Sequence, residues 1–188
     1  MARRATGCSS PAARAVRSPP RPGYGSSPTS PSRRSAGCST RCSCPARWTC
    51  TPVVHVVNDG GEDTPYDIRA EIGGTSAEVA PVAGEPVVVK ELPNAFHGTD
   101  LEKTLRELGS GTELVLAGFM THMCMTFTAQ GAFSLGYRPT VVAEATATRP
   151  LTSPDGTVVT AAALQTAALT TMGDLFGPIA PTVGDLGA

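Results

Sequence analysis

Along residues 51–188 the apolar positions come in two patterns: short unbroken runs, and longer stretches with spacings of three and four. Val53-Val54-His55-Val56-Val57 is a β-branched run with one polar position, the pattern of a strand buried on both faces. Asn58-Asp59-Gly60-Gly61 ends it with turn residues. Residues 62–84 keep no period and read as loop, with one short helical turn around Ser76–Val79. Val87-Val88-Val89-Lys90 repeats the strand pattern and ends in a lysine. Leu101, Leu105 and Leu108 then lie on one helical face, with Thr99 or Asp100 as N-cap and Gly109 as the stop. Leu114–Ala117 is a third apolar run, broken at Gly118. After Thr121 the spacing becomes helical as far as about Leu135, and Gly136 ends it. Thr140–Ala143 predicts a fourth strand and Thr148–Gly156 a loop. A long Ala/Thr-rich helix follows from Thr157 to about Phe176, with Val158, Ala161, Leu164, Ala168, Met172 and Leu175 on its buried side. A short strand around Ile179–Val183 closes the series.

Strand and helix alternating in this way predict an α/β fold, a three-layer, Rossmann-like arrangement with a parallel sheet between helices. Chemistry in such sheets gathers at the carboxyl ends of strands. Lys90 ends one strand and Cys124 lies just past another, at the start of a helix. A thiol there is favoured as thiolate by unpaired amide donors and the helix dipole. The bland alternative is a buried cysteine acting as a small hydrophobe. Lys90 likewise reads either as a solvated strand terminus or as an ammonium set beside Cys124, where it favours the thiolate and helps hold developing negative charge. The sequence carries no internal repeat, phosphate-binding loop or dinucleotide fingerprint.

Composition divides the chain near Cys50. Residues 1–50 hold nine Arg, no Lys, Asp or Glu, seven Pro, ten Ser, five of the six Cys, and no Leu, Ile or Phe. Their formal charge is +9, whereas residues 51–188 carry six Lys plus Arg against sixteen Asp plus Glu, or −10. Such a head lacks the apolar surface to offset the entropy of ordering, so it reads as a disordered Arg/Ser/Pro-rich segment and the fold is assigned to 51–188. Basic tails attract phosphate, which makes nucleic acid one reading. A transit peptide matches the Arg and Ser content but not the prolines. Cys38, Cys42, Cys44 and Cys50 match no usual zinc spacing. Out-of-frame translation of GC-rich coding DNA yields this composition too. In the shifted frame, Cys38-Ser39 and Cys42-Ser43-Cys44 become aliphatic groups. No apolar run is long enough to cross a membrane.

Gly118-Phe-Met-Thr-His-Met-Cys-Met-Thr-Phe-Thr-Ala129 strongly resembles the nucleophile turn of the isochorismatase-like cysteine hydrolases. Val89-Lys90, followed by Pro93-Asn94-Ala95-Phe96-His97-Gly98-Thr99-Asp100-Leu101, is similar to the family's catalytic-lysine segment. The resemblance covers about 51–188. It implies Cys124 as nucleophile, Lys90 as catalytic lysine, and an oxyanion hole from the backbone amides of Met120 and Cys124. It further implies a non-proline cis peptide at Phe119–Met120, and a substrate mouth to which Phe96, His97 and Phe119 are assigned.

The family's third catalytic residue, an aspartate ending the first strand, has no counterpart in residues 1–50. The resemblance therefore implies a parallel sheet incomplete at its first strand and a truncated domain. Asp59 ends a different strand and is not promoted in its place. His55 reads as a packed, hydrogen-bonded core residue and His122 as structural. No histidine follows Asn58-Asp59-Gly60-Gly61 in the arrangement the metal-binding branch uses, so neither metal nor organic cofactor is implied. The expected function is hydrolysis of a small amide or related C–N bond. A catalytically inactive truncated or frameshifted relative is one alternative, and a binding protein with a basic nucleic-acid-binding tail is another. The expected partners are a small-molecule substrate and further copies of the chain, in the cytoplasm and without a membrane.

Overall fold

The computed structural model describes residues 51–186, and the expectations for the Arg-rich head lie outside them. The fold is α/β with parallel sheets, as the alternation of runs and periods predicts. Strands β1 (His55–Asn58) and β2 (Val87–Lys90) pair in parallel, His55 beside Val87 and Asn58 beside Lys90. Strands β3 (Glu113–Phe119), β4 (Arg138–Ala147) and β7 (Ile179–Ala180) form a second parallel sheet in the order β3-β4-β7. The expected sheet is thus present in two pieces among the described residues. Between β1 and β2 in sequence, residues 59–86 are largely irregular, with single 3-10 turns at Glu71–Gly73 and Ala77–Val79.

Two apolar clusters hold these pieces. Helix α1 (Leu101–Glu107) sets Leu101 and Leu105 against Val88 and Ala95, with Leu114 of β3 packed on the same cluster. Helices α2 (Thr126–Ser134) and α3 (Ala161–Leu175) bring Ala129 and Met172 onto Val141 of β4, joined by Met125, Leu116, Leu169, Phe176 and Ile179. Val141 and Val142 are neighbours on β4, so they point to opposite faces, and both are 1% exposed. That is the burial expected of a central parallel strand.

Several boundaries differ from expectation for local reasons. The stretch after Gly118 does not enter an α-helix directly: a π-helical turn, Thr121–Met125, precedes α2. The expected start of α3 is corrected from Thr157 to Ala161. Val158–Val159 forms strand β6 and pairs antiparallel with β5 (Leu151–Thr152), a hairpin inside what reads as loop and helix. Val158 and Leu175, expected on the buried side of that helix, are 62% and 63% exposed. Strands β3 and β4 are longer than their apolar runs, because parallel pairing continues into their polar ends. The stops at Gly109 and Gly136 are as expected, with φ of +68° and +84°.

Candidate active site

The alternation of β2 turns Val88 and Lys90 inward and leaves Val87 and Val89 half exposed. Lys90 is only 5% exposed, so its ammonium must find partners within the protein. It has three. Nζ donates to Asn58 Oδ1 at 2.7 Å, to the Leu92 carbonyl at 2.9 Å, and to Cys124 Sγ at 3.3 Å. An ammonium carries three hydrogens, and three acceptors meet it. The first follows from register: Asn58 is the β1 partner of Lys90 in a parallel pair, so the two side chains share a face. The second follows from the chain folding back just after β2.

Cys124 reaches the lysine from the end of β3. Gly118 takes φ +128°, a conformation that L side chains rarely adopt. The next peptide bond but one, Phe119–Met120, is cis. The π-helical turn then begins, with the amides of Met123 and Met125 both donating to the Met120 carbonyl. Cys124 sits between them, half-buried, as the fourth of the turn's five residues.

The segment following Lys90 is fastened to α2. Thr128 Oγ1 accepts from the Ala95 amide at 3.1 Å, in a buried bond. Asn94 lies against Gly131, where an added Cβ would come within 2.4 Å of Asn94 Oδ1. Phe96 stacks on Tyr137 with centroids 5.7 Å apart and packs on the α1 cluster. His97 is exposed, its amide donating to the Asn94 carbonyl. Phe119 is 77% exposed beside the cysteine turn.

The remaining candidates have other partners. Asp59 accepts from the Gly61 amide and takes two hydrogen bonds from the Arg69 guanidinium. The Gly61 amide first, and Arg69 second, hold its carboxyl below the usual range. His55 Nε2 lies 2.8 Å from Glu85 Oε2. His122 Nδ1 contacts Thr148 Oγ1. Among the described residues, no three His, Cys, Asp or Glu side chains gather where they could hold a metal ion. Asn58 is the site residue that sequence reasoning missed. The available signal was its place at the end of the strand beside the lysine strand, which becomes informative only once the parallel register is known.

A parallel α/β fold with a buried lysine and a half-buried cysteine meeting at its strand ends defines a restricted class of protein. The isochorismatase domain family matches residues 48–180. The chain belongs to the isochorismatase family. It is 38% identical over 107 residues to an uncharacterized isochorismatase family protein of Bacillus subtilis, YddQ, covering 56% of this chain and 59% of that protein. It is 31% identical over 129 residues to a secreted isochorismatase effector of Verticillium dahliae, covering 68% of this chain and 65% of the effector. The chain thus spans about three fifths of the length of these curated relatives. Among solved structures, an isochorismatase from Pseudomonas putida superposes with a TM-score of 0.66 at 38% identity, covering 71% of this chain and 68% of that one. A cysteine hydrolase from Pseudomonas syringae shares the fold at a TM-score of 0.64 and 22% identity, covering 72% and 70%. No helix among the described residues is long and apolar enough to cross a membrane.

Proposed function

We propose that the chain is a cysteine-dependent hydrolase of small amides or related C–N bonds, with Cys124 as nucleophile and Lys90 as its catalytic partner. The observation that carries this reading is the 3.3 Å contact between Lys90 Nζ and Cys124 Sγ. Of the three partners around this buried ammonium, only the sulfur can carry a negative charge. A thiolate formed at Cys124 would therefore have this ammonium beside it.

In this reading the thiolate attacks the carbonyl carbon, a C–S bond forms, and the oxyanion is received by the amides of Met120 and Cys124. Collapse breaks the C–N bond while the Lys90 ammonium gives a proton to the departing nitrogen. Water then adds to the thioester as the neutral Lys90 amine takes one of its protons. The C–S bond breaks, releasing the acid and restoring the thiolate–ammonium pair. Phe119 and His97, both exposed, are the proposed substrate contacts, and Phe96 is proposed to support the loop that carries His97 through its stack on Tyr137.

Ammonia release from a panel of small primary amides tests this. Wild-type protein turns over at least one, Cys124→Ala abolishes release, and Lys90→Met lowers kcat/KM by about 10²-fold or more. Release undiminished by Cys124→Ala overturns the reading.

The state of Asp59 favours a second outcome. Its carboxylate is held by Gly61 and Arg69, and among the described residues Lys90 contacts no carboxylate. Water attack then has no carboxylate to assist the Lys90 amine, and where the amine alone activates water too slowly the thioester accumulates. One equivalent of ammonia per chain, with the acyl mass retained on the Cys124 peptide, would identify this stoichiometric form. Repeated turnover would identify the full cycle.

A further inference from the structure

The base of the cysteine turn is tied to the rest of the fold by a chain of side-chain hydrogen bonds that the reaction itself does not use. Thr121, the first residue of the turn, is 0% exposed, and its Oγ1 donates to Gln165 Oε1 at 2.6 Å. Gln165 Nε2 donates in turn to Thr146 Oγ1 at 2.8 Å, and the Thr146 hydroxyl donates to the Ala143 carbonyl at 2.9 Å. The Thr121 carbonyl accepts from Thr126 Oγ1 at 2.7 Å. Every member of this chain is satisfied, and its direction runs one way, from turn to helix α3 and from α3 to strand β4.

The strand pairing explains how Thr146 comes to be there. Leu116 pairs with Val141, but Gly118 pairs with Thr146, so β4 advances five residues where β3 advances two. The extra residues form a bulge that brings Thr146 beside Gly118, at the foot of the turn. A bulge of this kind re-aims the residues that follow it. Without it, the residue paired with Gly118 by simple register is Ala143, which has no side-chain acceptor for Gln165. The Gln165 amide bridges the two elements with its oxygen accepting from Thr121 and its nitrogen donating to Thr146, whose own hydroxyl hydrogen is given to the Ala143 carbonyl and so leaves Oγ1 to accept.

We propose that Gln165 is a positioning residue for Cys124. Through Thr121 on one side and Thr146 on the other, it fixes the π-helical turn so that the sulfur stays within reach of Lys90. This rests on the reading of Cys124 as nucleophile, and it extends that reading to a residue on α3, 41 positions away in the sequence. Reactions that depend on placement lose rate steeply when a group is displaced by even about 1 Å.

The test compares full-length wild type with Thr121→Val, Gln165→Leu, Thr146→Val and Thr121→Ser. Two quantities are read for each: hydrogen exchange of the amides in residues 119–126, and the rate at which iodoacetamide alkylates Cys124 at neutral pH. Thr121→Val and Gln165→Leu are expected to lose exchange protection in that segment alone and to slow alkylation about tenfold. Their double variant should be no slower than either, since both remove the same tether. Thr121→Ser keeps the hydroxyl and should stay within about twofold of wild type. Thr146→Val, at a half-exposed position, breaks the far end of the chain and serves where a substitution at buried Thr121 prevents folding. Folded Gln165→Leu and Thr146→Val proteins with wild-type protection at 119–126 and wild-type alkylation would overturn the proposal. Slow alkylation of the wild type itself would count against the nucleophile reading, and the exchange comparison would still decide whether the tether exists.

Discussion

At Lys90 the hydrogen-bond inventory is closed. Burying an ammonium is tolerable when each of its hydrogens has an acceptor, and Asn58, Leu92 and Cys124 supply one apiece. Asn58→Ala removes one of them and leaves a buried charged donor short of a partner. A loss of about 1–3 kcal/mol in denaturant unfolding is expected. Asn58→Asp would instead set a carboxylate against the ammonium in competition with Cys124 Sγ, and alkylation of Cys124 should slow. Glu85 gives a pH effect of definite sign. The Val82 amide, and then His55, hold its carboxyl below the ordinary value of 4.5. A folded carboxyl that stays ionised to lower pH than an unfolded one contributes stability that is complete above that value and disappears as pH falls below it. Melting curves of Glu85→Gln should therefore show a weaker acid dependence below pH 4.5 than wild type. Identical slopes would count against the contact.

Helix α2 matters because it clamps the loop that follows Lys90. Thr128 caps the buried Ala95 amide, and Gly131 leaves room for Asn94. In Gly131→Ala the new methyl would meet Asn94 Oδ1 at 2.4 Å, so the Asn94 side chain must shift and its hold on the Phe96 amide is disturbed. Destabilisation of about 1–3 kcal/mol by urea unfolding is expected, together with slower alkylation of Cys124. An unchanged midpoint would mean that the loop has a second resting place. The sequence was informative where one period dominates: the triple-valine run of β2, the leucine face of α1 and the glycine stops were all legible. It was silent where pairing decides. Val158–Val159 follows the spacing of α3, yet it pairs with Leu151–Thr152 across a turn closed by the Ser153 amide on the Thr157 carbonyl, and Thr160 then caps the helix by accepting from the Ala163 amide. The π-helical turn around Cys124 was equally hidden, because its apolar spacing differs from an α-helix by a single residue per turn. Cys124 and Lys90 could be proposed from their places at strand ends. Asn58 and Gln165 could not, since their significance comes from a register and a bulge that no local pattern encodes.

For the molecule as a whole, the division of the sheet into two-stranded and three-stranded pieces has a physical consequence. Parallel strands are ordinarily covered on both faces. Here Val87 and Val89 of β2 are 48% and 47% exposed, and Val56 of β1 is 39% exposed. Apolar strand surface left in water favours self-association. The melting midpoint is therefore expected to be low and to rise with protein concentration, as self-association stabilises the folded chain. Scanning calorimetry over a range of concentrations, with light scattering for mass, checks this. A monomer melting cooperatively above about 65 °C at every concentration would contradict it.

Whether Lys90 and Cys124 act as one reactive pair is read from the alkylation rate of Cys124 at neutral pH, located by peptide mass spectrometry and compared between wild type and Lys90→Met. The pair predicts a wild-type rate about tenfold or more above that of the variant, because the substitution removes the cation that meets Cys124 Sγ at 3.3 Å. Equal rates in two folded proteins would contradict it.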